Sequence, residues 1–273
     1  MTLTIPFSLI RMLALALACS AVSSTAVAAE SALKIPYPAT FGLTPAATFD
    51  EAGERVGAAS LEVSLLDSGN VALKLLSGYD GGARIVLKAE LAPQGSLERR
   101  TLRILRESSQ SYNAVGEPLV LLAIDHEKGT ASCIPPEDSG RKISTIELPS
   151  PDRVVNVPLN LLFRPLGTGD VDTIDTQAFF CLGGARIMGF TGKLKEERPH
   201  PSDDGRRILE VGYAPDGKGF LSWAAKAVAP PISFWMDVNH NGAYIAHKMP
   251  LYSKGPIVYV VADGVDTEWL ISP

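Results

Sequence analysis

Between Ala83 and Leu91 the chain alternates without a break: Ala83, Ile85, Leu87, Ala89 and Leu91 share one face, while Arg84, Lys88 and Glu90 line the other. A side-chain period of two marks a β-strand that is buried on one face and wet on the other. Such a strand needs neighbours, and the flanking sequence supplies them. Leu61, Val63 and Leu65 alternate with Glu62 and Ser64, Ser68-Gly69-Asn70 turns the chain, and Val71, Leu73 and Leu75 alternate with Ala72 and Lys74. Pro93-Gln94-Gly95-Ser96 turns again, residues 102–106 and 119–124 read as further strands, and Glu127-Lys128-Gly129 closes the next hairpin. Short alternating runs joined by turn residues make an up-and-down antiparallel meander.

The middle of the chain changes character. Pro135, Pro136, Pro149, Pro151, Pro158 and Pro165 fall within residues 135–165, which rules out a long regular element and leaves a crossover with one short helix over 158–163. Strands resume over 176–182 and 186–195. A polar tip, 196–205, is expected to be a mobile loop. Strands over 208–213 and 219–223 flank Ala214-Pro215-Asp216-Gly217-Lys218, and three more follow at 232–237, 243–249 and 257–261. The expected fold is mainly β: an antiparallel meander curled into a half-barrel or open barrel, with a short crossover helix. Residues 29–273 form one domain, with its core sheet over 45–262.

The first 28 residues read as a cleavable secretory signal. A short n-region ends at Arg11, an apolar stretch runs from Met12 to about Val22, and small residues lead to Ala28-Ala29 before Glu30. The apolar run is too short for a spanning helix, which needs about 20 residues. Cys19 raises lipidation as the alternative, although Ala16 stands where a branched apolar residue belongs. The expected location is the periplasm or the exterior, with lipid anchoring second. Loss of Arg11 leaves 24 of the 25 basic residues against 30 acidic ones, a formal charge of −6. That balance speaks against a nucleic-acid partner. Cys133 and Cys181 survive cleavage, and in an oxidising compartment an even pair reads first as a disulfide, with two buried thiols as the alternative.

A family resemblance enters through particular stretches: Val157-Pro158-Leu159-Asn160-Leu161-Leu162-Phe163-Arg164, the return from Phe179 to Phe190, Ile232-Ser233-Phe234-Trp235-Met236-Asp237, and Lys248-Met249-Pro250-Leu251. Together these resemble an exported bacterial domain-of-unknown-function family, number three thousand one hundred and eight. The resemblance covers roughly 45–262 and implies a curled antiparallel sheet, broadly like the periplasmic lipoprotein carriers LolA and LolB. It supplies no catalytic residue.

Asp237-Val238-Asn239-His240-Asn241-Gly242 places oxygen ligands at Asp237, Asn239 and Asn241 and a glycine sixth, as calcium loops do, but the twelfth residue is Lys248 rather than Glu. The same residues suit a tight turn. No compact histidine spacing is present, so a zinc site would have to be assembled from His126, His240 and His247, which read otherwise as isolated surface or rim histidines. There is no G-x-S-x-G elbow and no phosphate-cradling glycine loop. Aromatic residues gather late in the chain at Trp223, Phe234, Trp235, Tyr244, Tyr252 and Tyr259. Phe234 and Trp235 must point to opposite faces of their strand. The leading expectation is therefore a non-enzymatic exported protein that needs no cofactor. It would bind a hydrophobic ligand, a lipid among them, or an envelope partner on its concave face through Ile85, Leu87, Trp223, Trp235 and Tyr244. The alternatives are a metal-dependent hydrolase built from His126, Asp237, His240 and His247, and a structural component of an envelope complex.

Overall fold

The computed structural model describes residues 33–38, 40–96, 99–157, 159–181, 183–199, 205–218, 232–240, 242–251 and 255–271. The signal segment, the 219–223 strand, Trp223, Asn241 and Tyr252 lie outside the described residues. The elements are β1 (Ile35–Pro36), β2 (Gly42–Phe49), β3 (Arg55–Leu65), β4 (Val71–Gly78), β5 (Arg84–Gln94), β6 (Thr101–Tyr112), β7 (Pro118–Asp125), β8 (Thr130–Ile134) and β9 (Ser144–Glu147). Two short helices, α1 (Leu159–Leu162) and α2 (Arg164–Thr168), precede β10 (Thr173–Cys181), β11 (Ala185–Pro199), β12 (Arg207–Pro215), β13 (Ile232–Asp237), β14 (Ala243–Pro250), β15 (Ile257–Ala262) and α3 (Glu268–Ile271).

All of these strands belong to one antiparallel sheet in the order β10-β11-β12-β13-β14-β15-β2-β3-β4-β5-β6-β7-β8-β9, with β1 paired to β6. The expected open, barrel-like meander is present, and the chain's late strands join its early ones through β15 and β2, where Val260 faces Thr48. The two ends of the sheet approach without forming a ladder. Val154 bridges Gln177 of β10, and β10 and β11 pack against β7, β8 and β9. The mode of contact follows from side-chain parity. Ala178, Phe190 and Tyr213 face the main core, whereas Phe179 and Ala185 face Ile124, Ala131 and Cys133 on the inner side of β7 and β8. One end of the sheet therefore tucks inside the other, like a sheet of paper rolled slightly past a full turn. Cys133 and Cys181 fasten this seam at disulfide distance, with sulfurs 2.09 Å apart.

The crossover fills part of the interior. Leu162 and Phe163 are buried against Phe234 and Met236, and the Phe163 ring lies 5.3 Å from Tyr213 and 5.1 Å from Phe234. Glycine at position 192 makes this possible, because a Cβ there would stand 2.6 Å from Phe163 Cε1. Outside the barrel, Trp235, Ile245, Tyr259 and Val261 are covered by Leu270 and its neighbours Trp269 and Ile271.

The structure corrects the expected loop of 196–205 at its first four residues, while residues 200–204 lie outside the described residues. Glu196, Glu197, Arg198 and Pro199 continue β11, each paired with a residue of β12, and Arg198 and Glu196 form an ion pair at 2.8 Å. A wet, charged strand end reads from sequence like a loop because neither face is apolar.

Candidate functional site

Strand register sorts the inward side chains of β3 to β8 into rows. Val63, Leu73, Ala89, Glu107, Ile124 and Ala131 are successive cross-strand partners, all buried. The next row, two residues along each strand, is Leu61, Leu75, Leu87, Ser109, Leu122 and Cys133. Its first five members are only half-buried. At a strand spacing of about 4.8 Å this second row runs for about 24 Å across the concave face.

The row differs in character between its middle and its Cys133 end. Near its middle, Leu75, Leu87 and Ile85 meet Met249 of β14, Leu251 just after it and Val258 of β15 across a crevice of about 10 Å³, room for no more than a water molecule. Two polar side chains, Ser77 and His247, line that crevice. Tyr244 holds His247 in place: its hydroxyl sits 2.7 Å from His247 Nδ1 and donates to the Val260 carbonyl. With that hydroxyl proton already committed, Nδ1 is the protonated nitrogen. Burial pushes the His247 pKa down to about 4, so the ring is neutral at pH 7.

At the Cys133 end, the seam opens into a cleft of about 570 Å³. Leu119, Val120, Pro135, Pro136 and the two cysteines give it apolar walls, and Arg141 and Lys142 stand on its rim. That volume lies within the range of small-molecule sites. A larger groove of about 720 Å³ runs over the opposite face of the same strands, where Glu62, Lys74, Lys88, Glu90 and Arg106 stand beside Leu66, Ala72, Ala123 and Ile134.

Of the expected ligand-binding residues, Ile85 and Leu87 line the crevice and Tyr244 orients the histidine that lines it with them. Trp235 does not join them. It stacks on Tyr259 at 6.1 Å on the outer face, under α3, and Phe234 takes the inward position beside it. Parity required one of this pair to point outward, and the C-terminal helix is what covers it.

Of the metal candidates, Asp237 and His240 meet in one turn, whereas His126 and His247 are engaged by other partners. Asp237 Oδ1 accepts hydrogen bonds from the Asn239 and His240 amides at 2.9 and 3.2 Å, and Oδ2 lies 2.7 Å from His240 Nδ1. Asn239 Oδ1 accepts from the Arg207 amide at 2.8 Å. Asp237 Oδ1 thus binds the turn's own backbone, the geometry of an Asx turn, and Asn239 ties the turn to the start of β12. Among the described residues no group of three His, Cys, Asp or Glu side chains is placed to hold a metal.

His126 is not a surface or rim residue. It is buried, with Nδ1 2.9 Å from the Pro151 carbonyl and Nε2 2.8 Å from Glu107 Oε1. Glu107 Oε2 accepts the Asn156 and Val157 amides, the first at 2.8 Å. Burial alone would lower the histidine's pKa, but the bond to Glu107 and its charge outweigh burial and raise it. Burial raises the Glu107 pKa, against the pull of His126 and the two amides. The pair thus ties the crossover to β6 at the sealed row. Sequence reasoning missed it because an extra residue in β6, between the positions facing Glu90 and Leu91, shifts the alternation. Leu102 and Ile104 face inward, and past the bulge so does Glu107, while Arg106 turns out.

No helix among the described residues is long and apolar enough to cross a membrane. No family model matches the chain, and no curated protein matches it, so neither comparison shows the expected resemblance to family three thousand one hundred and eight or to the LolA/LolB carriers. Among solved structures the chain is similar to a β-barrel-like protein of domain of unknown function DUF1849 from Brucella abortus, with 11% identity and a TM-score of 0.37, the match covering 83% of this chain and 99% of that one. A likeness of that size transfers no residue role to this chain.

Proposed function

We propose that the protein is an exported, non-enzymatic periplasmic protein that binds an apolar ligand of lipid type on the concave face of its sheet. One observation carries the reading: the inward row Leu61, Leu75, Leu87 and Leu122 stays half-exposed although the row beside it is sealed. Apolar side chains that face inward and remain wet are what a hydrophobic ligand covers. The signal-like N-terminus and a seam disulfide that suits an oxidising compartment support export. Kinship in shape with half-barrel lipoprotein carriers belongs to the same proposal. Binding need not leave the fold unchanged, because Met249 at the crevice is a flexible side chain that repacks readily.

Native mass spectrometry of the mature protein, isolated from the periplasm without detergent, tests this. A native mass that exceeds the denatured mass by that of a lipid is the expected result. An unliganded mass that stays unchanged when monolaurin is added overturns it.

A further inference from the structure

The half-open row ends at Cys133, and the cleft there combines an apolar wall with two cations. Leu119, Val120, Pro135 and Pro136 supply the wall, and Cys133 and Cys181 line the same space. Arg141 and Lys142 are exposed at its rim. Neither makes an ion pair or side-chain hydrogen bond among the described residues. Glu137 and Asp138, in the same loop, do not line the cleft. A ligand that filled this space would put its chain against leucine, valine and proline and meet two unpaired cations with its other end.

We infer that the seam cleft is the head-group site for an anionic single-chain amphiphile, a fatty-acid carboxylate or a lipid phosphate, whose anion pairs with Arg141 and Lys142. This rests on the concave-face reading above and adds the ligand's charge and its orientation, chain toward Leu122 and head toward the 135–143 loop. Guanidinium and ammonium groups suit both anions: the arginine fork can engage two oxygens while the lysine acts as a point charge. The pair on the outer face, Lys74 opposite Lys88, has the same charge. It lies in a groove where charged and hydroxyl side chains alternate with Leu66, Ala72, Ala123 and Ile134, so the outer pair serves as the like-charged comparison.

The test compares laurate, lauroyl lysophosphatidate and uncharged monolaurin, titrated into the mature protein and into Arg141→Gln/Lys142→Gln. Lys74→Gln/Lys88→Gln serves as a control for net charge. The expected result is that the seam variant weakens the anionic amphiphiles about fivefold, leaves monolaurin unchanged, and differs from the control, which leaves all three unchanged. Tighter binding of laurate than lysophosphatidate assigns the site to free fatty acids, and the reverse order assigns it to lipid phosphates. If all three ligands weaken equally in the seam variant, or if the outer-face control reproduces its effect, the head-group assignment is wrong while the apolar site stands. If monolaurin and both anions fail to bind the unaltered protein, the apolar site itself is wrong and the inference falls with it.

Discussion

Two rows of side chains on the same six strands, separated by two residues along each, end in opposite states. The row through Val63, Leu73, Ala89 and Ile124 is sealed, each member at 8% exposure or less. The row through Leu61, Leu75, Leu87 and Leu122 is half-open. Composition does not separate them, since both are dominated by aliphatic residues. What differs is what lies opposite. Val155, Val157, Leu161 and Leu162 of the crossover are buried in one cluster with Val63 and Leu73, against which Leu61 and Leu87 pack while staying partly exposed, and Glu107 in the sealed row holds the Asn156 and Val157 amides. The crossover is pinned at one level of the barrel, and the level beside it is left without a full complement of partners.

The largest expected effect breaks that pin. Glu107→Ala leaves His126 and two amides buried without their acceptor, at a cost of up to about 5 kcal/mol, read from urea unfolding. It would also raise exposure of the sealed row, seen as faster amide exchange at Leu73 and Ala89. If Glu107→Ala unfolds at the parent's urea midpoint, the pin plays no part in the difference between the rows.

Next comes the seam. Cys133→Ser/Cys181→Ser removes a link across 48 residues, and by the loop-entropy relation this costs about 4 kcal/mol. The same loss should appear on adding reductant to the unaltered protein, and the doubly substituted protein should be insensitive to it. A reductant effect of equal size in both would place the loss elsewhere.

Acid should weaken the crevice side of the fold. His247, with its folded pKa lowered to about 4 from 6.5, is neutral in the folded state, while the unfolded chain takes up a proton below about pH 6.5. Stability is therefore held above that pH and lost as pH falls towards 4, by about 3 kcal/mol. His126 has the opposite sign. Its pKa is raised by Glu107 against the effect of burial, so its contribution is complete below 6.5 and fades as pH rises through the folded value. Ring-proton titration by NMR separates the two, and a His247 that titrates near 6.5 contradicts its burial.

The smallest effect compares the rows directly. Leu73→Ala should cost about 3 kcal/mol and Leu75→Ala about 1 kcal/mol, because only the first leaves a closed cavity. Equal costs by urea unfolding would mean that the second row is as well packed as the first.

Much of this comparison was legible in the sequence. The alternation of Val71, Leu73 and Leu75, and of Ile85, Leu87, Ala89 and Leu91, gave the inward face of both rows, and the proline density marked the crossover. Which row the crossover seals was not legible, because that depends on contacts between Glu107 and residues 49 and 50 positions later, and the β6 bulge conceals Glu107's inward direction. The first strands were also hidden. Pro45 and the adjacent Ala46-Ala47 in β2, and Gly57-Ala58-Ala59 in β3, are too small or too irregular to announce a strand by hydrophobicity, and they are held by their pairing with one another and with neighbours such as Val261 and Ser77. The short edge strand β9 lies among prolines for the same reason of context. Trp235 was placed on its strand by parity, but the helix that covers it is only four residues long and carries no periodic signal of its own.

The most direct measurement is the affinity of monolaurin for the mature protein and for Leu75→Thr/Leu87→Thr, with unfolding followed in parallel to confirm that the variant remains folded. The expected result is binding to the unaltered protein that weakens about tenfold or more in the variant, since two apolar contacts in the half-open row are lost. Equal affinity in both proteins would contradict the claim that this row is the ligand's seat.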